Sequence, residues 1–145
     1  MTIQSFSEAY SPEWVIEGVI ARAQRPGYPL NRPSIETVDQ WTAEVLAMGI
    51  RSVLCIIDSG QLKYYQEIGL PDETLFHYYQ RVGLAVSHID ARDYKTPPLS
   101  TDELNLVWDE FNRLDKPIIV HCSAGRDRTG AALSHIISKL GSPKK

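Results

Sequence analysis

Cysteine is scarce: Cys55 and Cys122 are the only two in 145 residues. Two cysteines make no disulfide framework, and neither stands in a CxxC pair or at a zinc-type spacing with histidine. The expectations are a reducing, cytoplasmic setting and no bound metal. Long apolar runs are also missing. None approaches the ~20 residues of a membrane-spanning helix, so no membrane insertion is expected. The first eight residues lack a basic stretch followed by an apolar block, which predicts no signal peptide. An excess of one charge is absent too, with 15 basic against 18 acidic residues and a net charge of −3. Nucleic acid and anionic membrane therefore find no broad electrostatic partner, and any anion site must be local. No low-complexity tract or linker divides the chain. One internal similarity, Tyr64–Leu70 against Tyr78–Leu84, is too little for a solenoid.

What is present is the composition of an ordinary globular domain, with 43% hydrophobic and 23% charged residues. The length predicts one domain over residues 1–145, able to bury its own core. Trp14–Ala21 reads as one strand, or as two short strands broken at Gly18. Three prolines and a glycine make residues 25–33 a loop. Ser34 is placed to cap a helix running to Met48, with Ile35, Val38, Thr42 and Val45 on one face and Gly49 at its end. The continuous apolar run 52–57 has the character of a strand covered on both faces. The two similar segments read as short helices, each ending at its glycine. A strand at 84–89 follows. Ser100 or Thr101 caps a helix with Leu104, Val107, Trp108, Phe111 and Leu114 at helical spacing. A short strand at 117–120 precedes a helix at 129–140, with Leu133, Ile136, Ile137 and Leu140 expected inward. Alternating strands and helices predict an α/β sandwich, three-layered, with a central, mainly parallel sheet flanked by helices. Such sheets place ligands beyond the C-terminal ends of their strands.

At such a strand end stands His121-Cys-Ser-Ala-Gly-Arg-Asp-Arg-Thr-Gly130, which fits His-Cys-x2-Gly-x2-Arg-Thr. Average residue usage makes a chance occurrence in this length on the order of 10⁻⁴ or less. The residues Ser123, Ala124, Gly125, Arg126 and Asp127 between Cys122 and Arg128 form a loop long enough to curl around one phosphate. Backbone N–H groups and the start of the following helix would face the anion. Gly125 permits a backbone conformation that other residues resist, and Arg128 is able to fork onto two phosphate oxygens. The same positive surroundings favour a thiolate at Cys122, placed for in-line attack on phosphorus.

This segment resembles the signature of the cysteine-dependent protein tyrosine phosphatases, and the size and element order are similar to those of the small dual-specificity branch. The resemblance implies a phosphomonoesterase that works through phosphocysteine on phosphotyrosine, or on both phosphotyrosine and phosphoserine/threonine, in proteins, without a cofactor. It implies Cys122 as nucleophile, Arg128 as phosphate clamp, Thr129 as a hydroxyl easing departure of the sulfur, and His121 as a residue that orients the loop and helps to keep the thiol ionised. The family also uses a general acid from an earlier loop, often aspartate with proline soon after. Asp90 and Asp93 both precede Pro97-Pro98. Asp93, 29 residues before Cys122 and in a D-x3-P context, fits better. Asp127 is a third candidate, because myotubularin-like lipid phosphatases and a bacterial branch with a Gly-Lys-Asp-Arg-Thr loop carry an aspartate inside the signature. Here Arg126 replaces that lysine.

The alternatives are therefore a phosphoinositide or inositol polyphosphate phosphatase and a catalytically silent phosphate-binding module, the latter disfavoured by an intact signature. Relatives usually add one or two helices after the signature helix. The shorter C-terminus leaves the oligomeric state open. Cys55 reads as core, His77 and His88 as locally satisfied histidines, and Trp108 and Phe111 as core. Arg22, Arg25 and Arg32 read as surface charge by default, with a basic rim near the pocket as the alternative.

Overall fold

The computed structural model describes residues 11–70 and 74–141. The N-terminal segment read for a leader and the C-terminal tail 142–145 lie outside the described residues. Ten elements alternate much as expected. β1 (Glu13–Ile16) and β2 (Ile20–Ala23) form a hairpin turning at Gly18, and α1 spans Ile35–Ala47. β3 (Ser52–Ile56), α2 (Ser59–Gln66), α3 (Leu75–Arg81) and β4 (Ala85–Ile89) follow, then α4 (Thr101–Arg113), β5 (Ile118–His121) and α5 (Asp127–Leu140). The sheet order is β1-β2-β5-β3-β4. β1 and β2 are antiparallel, and β2, β5, β3 and β4 run parallel. The strand ending at the signature is thus interior, paired on both edges.

Strand alternation distributes the apolar runs between two layers. Val53, Cys55, Ile57 and Ile119 face a core built with Val38, Trp41 and Val45 of α1, Tyr65 of α2 and Leu75, Tyr78 and Tyr79 of α3. Leu54, Ile56, Ile118 and Val120 face Val107 and Phe111 of α4 and Ala132, Leu133 and Ile136 of α5. Each fully buried Val, Leu, Ile or Phe among them contributes about 1.5–3 kcal/mol. Cys55 is fully buried, as expected of a core residue, and Phe111, stacked on Trp108 at 5.7 Å, belongs to the second layer. His88 Nε2 lies 2.7 Å from Ile57 O, and His77 Nδ1 lies 3.0 Å from Thr74 Oγ1.

Some expectations need correcting. Ile137 and Leu140 are 43% and 46% exposed. Ile137 lies about 100° round the helix from buried Ile136, and Leu140 belongs to a last turn that is only partly covered. α2 and α3 begin well before the tyrosine pairs, because Asp58 and Thr74 accept from the N–H groups of Gln61 and His77 and so cap them. α5 begins at Asp127 rather than Thr129.

Candidate active site

At the C-terminal edge of the parallel strands, four segments meet: the loop after β2, the start of α2, the loop after β4 and the signature between β5 and α5. Gly125 has φ +77°, and a Cβ on it would lie 2.7 Å from Ala23 O and 2.8 Å from Gln24 N. Its glycine is therefore required both by backbone conformation and by the closeness of β2's end. Arg22 Nη2 donates to Gly125 O at 2.5 Å. α1, α2, α3 and α4 carry side-chain caps at Ser34, Asp58, Thr74 and Ser100, whereas α5, with Arg126 at its N-cap position, carries none. No side chain caps the amide donors of its first turn, and a helix end of this kind favours negative charge.

Cys122, Ala124, Arg126 and Asp127 line a cavity of about 140 Å³ together with Tyr28, Asp93 and Tyr94. Two larger concavities, of about 600 and 320 Å³, contain no signature residue. The small one is where the chemistry converges. Arg128 is 1% exposed. Its Nη1 donates to Ala91 O at 2.7 Å, and its Nη2 lies 3.0 Å from Asp93 Oδ2. Beyond that ion pair, Arg128 Nε is buried without a hydrogen bond, and so is Thr129 Oγ1. Buried donors of this kind call for an anion or water.

The three candidate acids separate cleanly. Asp93 faces the cavity, with Oδ2 accepting from Gln61 Nε2 at 3.3 Å and Oδ1 from the Tyr94 N–H at 3.0 Å. Asp90 turns away to α2, accepting from Ser59 N at 3.2 Å and Ser59 Oγ at 2.9 Å. Asp127, an exposed residue of the first turn of α5, also lines the cavity. Gln61 is a site residue that the sequence reading passed over. It belongs to no motif and is brought to Asp93 only by the fold. Ser123 is nearly buried, and its Oγ accepts from Arg25 Nε at 3.1 Å. Arg25 itself is 2% exposed, which overturns its reading as surface charge; Arg32 is exposed and pairs with Glu67 at 2.7 Å.

His121 is fully buried, with Nε2 2.9 Å from the Tyr79 hydroxyl and Nδ1 3.0 Å from Cys122 O. Since the carbonyl only accepts, Nδ1 carries the proton and Nε2 accepts from Tyr79. Burial above all pushes its pKa down, to about 4. The bond to Cys122 O works the other way, and the charges of Arg25, Arg128 and His88 add to the depression. His121 thus sits at the base of the loop as a neutral ring, and at neutral pH it brings no positive charge to the thiol. Below pH 6.5 the unfolded chain binds a proton that the native ring refuses, so stability falls as pH drops. A loss of roughly 2–3 kcal/mol between pH 6.5 and 4.5 is expected in urea unfolding curves. A His121→Asn variant should lose that slope. Unchanged pH dependence in the variant would contradict the buried, neutral state.

A family model described as "Polymorphic toxin system, DSP-PTPase phosphatase" matches residues 31–142. Among solved structures, the chain is similar to Tk-PTP in its active form, with a TM-score of 0.61 and 20% sequence identity over 92% of this chain and 76% of that one. No curated protein sequence matches it significantly.

Proposed function

Because the chain belongs to the DSP-PTPase phosphatases of polymorphic toxin systems, we propose that it is a single phosphatase domain that hydrolyses phosphotyrosine, or phosphotyrosine together with phosphoserine/threonine, in proteins through a phosphocysteine intermediate. The substrate phosphate rests against the loop N–H groups, and Arg128 turns Nε and Nη2 onto two of its oxygens. Cys122 Sγ, as thiolate, attacks phosphorus in line while Asp93 gives its proton to the departing oxygen. Asp93, now a carboxylate, takes a proton from the water that cleaves the sulfur–phosphorus bond. Thr129 Oγ1 stabilises the leaving sulfur. The nucleophile must stay reduced, which makes a reducing cytoplasm the proposed setting.

One observation carries this reading: Cys122 and Asp93 line one phosphate-sized cavity, and the buried Arg128 is ion-paired with that same Asp93 while its Nε has no hydrogen-bond partner. Tyr28 and Tyr94 line it too, and their rings suit an aromatic ester. The presence of Asp127 and Arg126 in the loop favours a second reading, hydrolysis of phosphoinositides or inositol polyphosphates. A panel of phosphotyrosine peptides, phosphoserine/threonine peptides and inositol phosphates separates them. Fastest turnover of a phosphotyrosine peptide is expected. Preference for inositol phosphates moves the assignment to the second reading, and phosphate binding without turnover of any ester reduces the chain to a binding module.

A further inference from the structure

Arg25 opens the loop after β2 and lies 98 residues before Ser123, the signature residue it touches. Its guanidinium is buried, yet no carboxylate among the described residues pairs with it. All its partners are neutral. Nε donates to Ser123 Oγ at 3.1 Å, and Nη1 donates to Leu30 O at 2.8 Å and to the Tyr65 hydroxyl at 3.2 Å. The rings of Tyr28, Tyr64 and Tyr65 lie 5.4, 5.0 and 5.9 Å from its central carbon. Its backbone N–H also donates to Ser123 O at 2.9 Å.

A buried guanidinium without a counter-ion is costly, and neutral acceptors and ring faces offset only part of that cost. Its field acts through a poorly screening interior. A phosphate held by the signature loop is the anion this charge lacks.

We propose that Arg25 is a positioning residue for the phosphate loop: it holds Ser123 from behind, fixes Tyr28 at the cavity wall, and adds a second buried positive charge that favours a bound phosphate. This rests on the signature loop being the phosphate site proposed above. Arg25→Met removes the charge and Arg25→Lys keeps it without the fork. Two readouts apply: titration with inorganic phosphate, and the melting temperature, which reports folding.

In Arg25→Met, phosphate binding is expected to weaken about tenfold. In Arg25→Lys a smaller loss is expected, because the charge stays while Ser123 and Tyr28 lose their anchor. A folded Arg25→Met with parental phosphate affinity overturns the proposal. Should that variant not fold, parental phosphate affinity in Arg25→Lys overturns it equally. Phosphate binding needs no turnover. A parent that binds phosphate but hydrolyses no ester therefore sinks the catalytic reading and leaves this test standing.

Discussion

Cys122→Ser is expected to leave no measurable hydrolysis of an aryl phosphate, a fall of about 10⁴-fold or more, while binding inorganic phosphate about as well as the parent. The asymmetry follows from how the site is divided. Attack requires an ionised sulfur, and a serine hydroxyl in the same place has neither the acidity nor a base beside it, since His121 is engaged by Tyr79 and Cys122 O. Loss of a nucleophile is on the scale of the largest single-residue effects in covalent catalysis. Binding depends on other groups, the loop N–H donors and Arg128, which the substitution leaves alone. Cys55 does not stand in for the nucleophile. It is fully buried in β3, and burial, aided by the neighbouring Cys122, pushes its thiol pKa well above the ordinary range. Steady-state turnover beside a phosphate titration checks both halves, and undiminished turnover in the variant refutes the assignment.

Asp93→Asn should slow a tyrosyl or alkyl phosphate by roughly 10²–10⁴-fold and an activated fluorinated aryl phosphate far less, because only a poor leaving group needs the proton. The alkaline limb of the pH–rate profile should flatten. The ion pair adds a second expectation: with Asp93 Oδ2 3.0 Å from Arg128 Nη2, neutralising the carboxylate removes the guanidinium's internal competitor, so phosphate affinity should hold or rise while turnover falls. Asp127→Asn is the control. If it carries the leaving-group dependence and Asp93→Asn does not, the acid lies within the signature and the substrate assignment moves toward phosphoinositides. Asp90→Asn should act through α2, whose first turn it holds at Ser59, and show no leaving-group dependence.

The local rules that place the site are written in short stretches of sequence. Ser34 and Ser100 cap their helices, the latter in a reciprocal capping box with Glu103, and Gly49 closes α1 in the positive-φ conformation. The apolar run of β3 predicts a strand covered on both faces, and the signature displays its own strand-loop-helix context. What escapes the sequence is set by distance along the chain. Arg25 is indistinguishable from Arg32 in a proline-rich loop, and partners 40 and 98 residues away help to hold it buried. Gln61 meets Asp93 across 32 residues. Asp58 and Thr74 escape notice as caps because the helices they start are short, and in the sequence the tyrosine pairs stand out more than the capping residues do. Ile137 and Leu140 mislead because periodicity gives a face but not how far the neighbouring layer extends over it.

The match to the family begins at residue 31, beyond β1 and β2, yet β2 is the strand that flanks β5 and supplies the wall against Gly125. A fragment started there would convert an interior strand into an open edge, with the amides and carbonyls of Ile118–His121 on that side free to recruit another chain. Such a fragment is expected to aggregate, and a peptide of residues 11–30 added in trans to restore a soluble, phosphate-binding fold. The stretch recognised by similarity is thus smaller than the stretch that folds.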